Sequence, residues 1–376
     1  MSTFGRIKSS LLGLATNLRG WRTRRKLLVI ESDDWGAIRT SGPESWDRLL
    51  AGGIPVDRSR YDVLDCLEGA ADLDALFNVL SEHRDGHGHP ALFTFNTVMG
   101  NPDFDAISRD GFESYHHQHF FDSYRYYHGE SLEQKWAAAM TESLIRPQFH
   151  GKEHLNVPLW MRDLHSGHQD TIRAFEERYY ALRTRTSSPR QFNYLAAYSS
   201  ESEEELESAQ NRLAEGMQMF QKTFGYVSKT FIACNYVLPA QAEPYIKSLG
   251  VELLQGQRGQ FVPSGHDATG TIRRTYMGKR NISGLLCSVR NVIFEPFESE
   301  SHDWVRSALR QIQQAFFLGK PAVVCSHRVN YVAGMQRAHR DRSLSLLDSL
   351  LAEVRRRWPE VEFVSSDQLA DEMIAG

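Results

Sequence analysis

Two aspartates, Asp33 and Asp34, stand side by side just after an apolar run and ahead of Trp35 and Gly36. Adjacent carboxylates repel each other unless a cation or hydrogen-bond donors share the site. One of the pair can bind a metal ion while its neighbour takes a proton from water that the ion activates. The plain alternative is a surface pair capping a turn, where Asp is common. A second group is His150 and His154, which stand in a His-x-x-x-His string. That spacing predicts two imidazoles on one side of a helical turn, near enough to hold one ion. Two neutral imidazoles and one carboxylate suit zinc, iron or another transition ion. Three protein ligands also leave positions open for water and substrate, as a catalytic site requires. A third group is Ser326, His327 and Arg328, where His327 is placed to protonate a leaving group. Its plain alternative is a histidine hydrogen-bonded within a loop.

These groups need elements to carry them. Short apolar, β-branched or aromatic runs occur at residues 27–30, 91–95, 229–234, 251–254, 322–325 and 361–364. Continuous runs of that length suit strands buried on both faces of a parallel sheet. Between them, residues 71–83, 132–144, 202–223, 303–318 and 342–357 space their apolar side chains as helices do. Ser200 ahead of Glu203 and Glu204 predicts a helix start, and the acidic run 201–207 a solvated helix face. Alternating strands and helices predict an α/β architecture, and the chain length favours a closed or nearly closed barrel. Polar residues follow four of the runs: Asp33 and Asp34, then Asn96, then Asn235 and Tyr236, then His327. In α/β barrels the residues just past the strand carboxyl ends converge on one face, where active sites form. Residues 101–128, rich in aromatic and His side chains, break the pattern and predict an excursion above the barrel.

Taken in order, the Asp pair, the His-x-x-x-His string, an aromatic strand end and a late strand-end His resemble the polysaccharide deacetylases, the NodB-homology family of carbohydrate esterases. The resemblance implies a distorted (β/α) barrel. Here it is of a divergent branch, with a large insertion around residues 100–145 before the His pair. It implies Asp33 as general base and His327 as general acid. Asp34, His150 and His154 would hold one divalent metal ion, zinc first among the choices. Ala233, Cys234, Asn235 and Tyr236 loosely match a middle motif in which the backbone at Tyr236 would help form an oxyanion hole. The Arg and Pro of that motif are absent. In the family this Arg steadies the base, and Arg290, Arg328 and Arg162 are the stand-ins the sequence offers. The implied reaction removes the N-acetyl group of an acetamido sugar, a glycan or a glycan precursor. Asn235, Asn96 and Arg328 would bind substrate or orient ligands. Trp35, Tyr115, Phe120, Phe121, Tyr124, Tyr126 and Tyr127 would stack on sugar rings, or the last six would simply pack the insertion. His116, His117, His119 and His128 offer a rival metal site.

The bulk numbers bound the reading. A chain of 376 residues with a net charge of -4 argues against a dedicated nucleic-acid binder. Cys66, Cys234, Cys287 and Cys325 are scattered, which speaks against a zinc ribbon or a disulfide framework and suits a reducing cytosol. No stretch approaches the roughly 18 apolar residues of a membrane span. The expected division is a basic N-terminal helix over residues 1–26 and a single catalytic barrel domain over 27–376. In the first part Phe4, Ile7, Leu11, Leu14 and Leu18 recur at helical spacing among Arg6, Lys8, Arg19, Arg22, Arg24, Arg25 and Lys26. Such a helix packs on the body, or lies weakly on an anionic membrane surface, which would make the chain cytoplasmic and peripheral to the inner face. Three rivals remain. One is a non-haem iron oxygenase, although the acid precedes the histidines and the strands alternate with helices. Another is a different metal-dependent carbohydrate hydrolase on the same barrel. The last is a decayed barrel that only binds glycans.

Overall fold

The computed structural model describes residues 16–182, 194–200, 202–263 and 270–376. Its strands are β1 (Lys26–Trp35), β2 (Phe93–Val98), β3 (Gly100–Pro102), β4 (His117–His119), β5 (Ile145–Gly151), β6 (Thr230–Phe231), β7 (Leu253–Leu254), β8 (Gly259–Pro263), β9 (Gly270–Arg274), β10 (Lys279–Arg280), β11 (Leu286–Cys287), β12 (Val292–Ile293), β13 (Ala322–His327) and β14 (Val361–Phe363). The main sheet runs in the order β10-β11-β7-β6-β5-β2-β1-β13-β12, with β14 also paired to β1. Its pairings are parallel except β10 with β11. The sheet curls into a half-barrel wrapped by helices, the distorted (β/α) barrel that the sequence predicts. β2 is buried throughout and β1 at every residue but Lys26, which is why both read as apolar runs.

Helices Ala70–Glu82, Glu133–Thr141, Glu203–Phe224, Trp304–Phe317 and Arg337–Arg357 occupy the five predicted helical stretches. The last begins ahead of residue 342. The helix Glu203–Phe224 starts at Ser202 rather than Ser200, because the Ser202 hydroxyl accepts from Glu205 N at 3.1 Å. Two elements differ more. β5 lies where no strand is expected, since Arg146, Pro147 and Gln148 interrupt its apolar run. The excursion packs inward as well. β3 pairs β4, and helix Phe120–His128 inserts Phe120 and Tyr124 into the main core beside Trp136. Of the four histidines of this stretch, His116 meets Asp110, His119 meets Thr223, His128 meets the Leu67 carbonyl and His117 stacks on Tyr115.

The sheet does not close between β10 and β12. Residues 1–15 of the helix expected over residues 1–26 lie outside the described residues; residues 16 and 17 are helical, and the residues after them form a strap that bridges that seam. Trp21 N donates to Met277 O and Thr23 N to Gly319 O, both at 2.8 Å. The Lys320 ammonium donates to the carbonyls of Arg19, Gly20 and Trp21 at 2.8, 2.7 and 2.6 Å. Carbonyls turned toward one cation cannot also continue a helical ladder, and Gly20 takes a left-handed φ of 91°. Among the described residues no helix is long and apolar enough to cross a membrane.

Candidate active site

Successive side chains on a regular strand point to opposite faces, so Asp33 and Asp34 should not share a site. β1 solves this with an irregularity. Ser32 pairs Phe95 and Trp35 pairs Thr97, so β1 carries one extra residue against β2. Within that bulge Asp34 has φ 75°, a conformation Asp tolerates better than most residues. Both carboxylates then line one cavity of about 290 Å³, with His150, His154, Asn235, Tyr236 and His327.

His150 is the last residue but one of β5 and His154 lies in the loop beyond the strand, so the two do not share the expected helical turn. The chain turns back at Gly151, whose φ is 138° and where a Cβ would collide with the Tyr198 hydroxyl. The two rings lie 5.2 Å apart between centroids. Their Nε2 atoms stand 3.2 and 3.3 Å from the same oxygen, Asp34 Oδ1. His150 Nδ1 donates to the Ile232 carbonyl at 2.9 Å, so a neutral His150 turns the bare lone pair of Nε2 toward a carboxylate oxygen. Lone pair against lone pair is repulsive unless a positive charge lies between. Burial drives the His154 pKa down to about 3, leaving that ring neutral, and its buried Nδ1 has no hydrogen-bond partner. The donor set fits a divalent transition ion held by Asp34, His150 and His154. Cys234 Sγ is also near both imidazoles. Burial, followed by Asp34 and Asp33, raises its thiol pKa, and the thiol donates to the His150 carbonyl at 3.3 Å.

Asp33 stands beside this group in a web of donors. Arg290 grips it with two hydrogen bonds, 2.7 Å to Oδ2 and 2.6 Å to Oδ1. Asn96 Nδ2 adds a third at 2.7 Å. Burial would raise the carboxyl, but the Arg290 guanidinium with His327 and His150 outweighs it and holds Asp33 down to about 2. Arg290 also donates to Glu31 at 2.6 Å, and is itself buried. His327 ends β13 in register with Asp33. Its Nε2 lies 3.6 Å from Asp33 Oδ2, and its Nδ1 bonds Glu295 Oε1 at 2.6 Å. Burial would lower the imidazole, yet Glu295 and then Asp33 and Asp34 raise it to about 9. His327 is therefore an imidazolium at neutral pH.

Several expected roles change. Trp35 does not face the cavity: it is 1% exposed and stacks on Phe95 with centroids 3.7 Å apart. Arg328 is fully buried against Asp65 and Glu68 at 2.8 and 2.9 Å, so it neither touches substrate nor steadies Asp33. Arg162 pairs Glu205 on the surface, leaving Arg290 as the cation on Asp33. Asn96 is wholly buried and acts on Asp33, not on substrate. Tyr236 N donates to Ala233 O at 2.8 Å, so this N–H is not free to receive an oxyanion. The Tyr236 hydroxyl instead accepts from Arg290 at 3.0 Å. Three contributors escaped the sequence reading. Glu295 follows β12, a strand too short to read. Tyr61 and Arg39 lie in the long connection after β1. The Tyr61 hydroxyl donates to Asp34 Oδ2, and the Arg39 guanidinium lies 4.3 Å over the Tyr61 ring.

No family model and no curated protein matches the chain. Solved structures resemble it at low identity. A Mycobacterium smegmatis protein named as a polysaccharide deacetylase is 11% identical, with TM-score 0.43 over 95% of this chain and 93% of that one. A Parabacteroides distasonis protein named as a glycoside hydrolase/deacetylase is 10% identical, with TM-score 0.47 over 94% and 73%. A CE4 family pseudoenzyme from Bacillus anthracis is 8% identical, with TM-score 0.38 over 93% and 66%. Likeness at this level decides nothing about the chemistry.

Proposed function

We propose that this chain is a metal-dependent hydrolase that removes the N-acetyl group from an acetamido sugar, a glycan or a glycan precursor. The observation that carries the reading is one cavity holding three separated groups. They are a carboxylate between two imidazoles, a second carboxylate fixed by Arg290, and an imidazolium fixed by Glu295. A divalent ion held by Asp34, His150 and His154, zinc as a borderline ion that suits two imidazoles and a carboxylate, would lower the pKa of water in the cavity and draw charge from the carbonyl oxygen. Asp33 accepts the proton as that water attacks the amide carbon. Its three donors keep one oxygen edge fixed and prevent it from taking up a proton beforehand. His327 delivers its Nε2 proton to the departing nitrogen, so acetate and a free amine leave. The four cysteines are all free and buried, which supports a reducing compartment and an intracellular precursor as substrate.

The test is acetate release from N-acetylated sugars and short oligosaccharides by the zinc-loaded chain. Asp33→Asn is expected to keep its zinc and lose at least about 100-fold in turnover. An Asp33→Asn chain as active as the unaltered one contradicts the reading.

A further inference from the structure

The chain carries a net negative charge, yet its positive side chains are unevenly spread. Residues 16–25 hold Arg19, Arg22, Arg24 and Arg25 and no acid, and residues 270–284 hold Arg273, Arg274, Lys279 and Arg280 and no acid. The fold brings these two segments together at the seam, where Trp21 N reaches Met277 O at 2.8 Å. Between them lies a cavity of about 430 Å³, lined by Leu18, Arg19, Arg258, Arg274, Tyr276 and Lys279 among others, with no carboxylate in its wall among the described residues. Such a hollow gathers cations that repel one another, an arrangement that an external anion relieves.

Apolar groups stand beside it. Leu18 is 56% exposed, Ile272 56% and Ile282 94%. Phe317, 85% exposed, lies across the strap, where Arg22 donates to the neighbouring Leu318 carbonyl. Leu18 also closes the apolar series Phe4, Ile7, Leu11 and Leu14 of the sequence, whose first four members lie outside the described residues. Arg25 pairs Glu362 and Glu372, and Arg273 pairs Glu243, so the cations that face the cavity are Arg19, Arg258, Arg274 and Lys279. Exposed aliphatic and aromatic tips near these cations match a surface that is anionic at the headgroups and apolar just beneath.

We propose that this seam face docks on an anionic lipid bilayer, with lipid phosphates seated in the basic cavity and the apolar tips entering the interface. This inference does not depend on the hydrolase reading. The test is co-sedimentation of the full chain with vesicles of phosphatidylglycerol and phosphatidylcholine in equal parts, against phosphatidylcholine alone. Capture by the anionic vesicles only, weakened by added salt, is expected. Arg274→Gln and Lys279→Gln should each reduce partitioning roughly fivefold, and Leu18→Ser should reduce it too. All three positions are at or near the surface and outside the candidate active site, so zinc binding should not change. Three results overturn the proposal. One is no capture by anionic vesicles, and another is capture indifferent to these substitutions. The third is displacement by inorganic pyrophosphate where chloride of equal ionic strength has no effect, which assigns the cavity to a soluble phosphate ligand.

Discussion

At the scale of residues, the site separates two proton states by pairing each titrating group with a partner of fixed charge. Asp33 stays a carboxylate because Arg290, buried with it, donates to both of its oxygens. His327 stays protonated because Glu295 accepts from its far nitrogen. The imidazole pKa is raised to about 9 from an ordinary value near 6.5. A raised folded-state value contributes stability that is complete below that ordinary value and is lost as pH rises through about 9. Glu295→Gln removes the largest of the charges that raise it. Melts recorded across alkaline pH should then lose stability earlier, and the alkaline limb of kcat/KM should move down with them. An unmoved limb would mean that Glu295 does not hold the proton. Arg290→Met is expected to lower turnover by about 100-fold or more, through a base that is no longer aimed or kept ionised, measured as acetate release at saturating zinc. Of this site, Asp33, Asp34 and His327 could be read in the sequence because apolar runs end at them. Arg290 could be named only as one of three stand-ins, and Glu295 and Tyr61 not at all, since no periodic element points to them.

At the scale of elements, the bulge in β1 and the turn after β5 do what spacing alone does not show. An i, i+4 histidine pair suggests a helix, yet here a strand end and a loop folding back at Gly151 deliver both rings. Five helices are legible because their apolar stripes face the core. β5 was hidden because four of its seven residues are polar or Pro, and polar partners inside the fold take the place of apolar packing: the Gln148 side chain accepts from Ser228 and Thr230 at 2.9 Å. The helix Glu203–Phe224 lies so close to β5 that a Cβ on Gly216 would sit 2.8 Å from the Phe149 ring and 2.9 Å from Lys152 Cα. Gly216→Leu should therefore push β5, and His150 with it. A loss of about 1–3 kcal/mol in denaturant melts is expected, with weakened zinc affinity. Unchanged stability would show that this contact is not tight.

At the scale of the whole molecule, a half-barrel must protect two free edges, and here the N-terminal strap covers the seam between them. Lys320 anchors it through three successive carbonyls. Lys320→Met removes those donors and should destabilise the fold by about 1–3 kcal/mol, seen as a lower Tm; an unchanged Tm would mean that the strap is not anchored there. The alternation of strands and helices made the barrel predictable. The strap was not, because Lys320, which captures the carbonyls of Arg19, Gly20 and Trp21, lies far along the chain from them. All of this architecture serves to bring Asp34 of β1 against the two imidazoles delivered by β5 and its following loop. The most direct test is zinc titration of the metal-free chain by calorimetry. The account predicts one tightly held ion per chain, kept in Asp33→Asn and lost in both Asp34→Ala and His154→Ala. Full-stoichiometry zinc in both of the latter variants would contradict it.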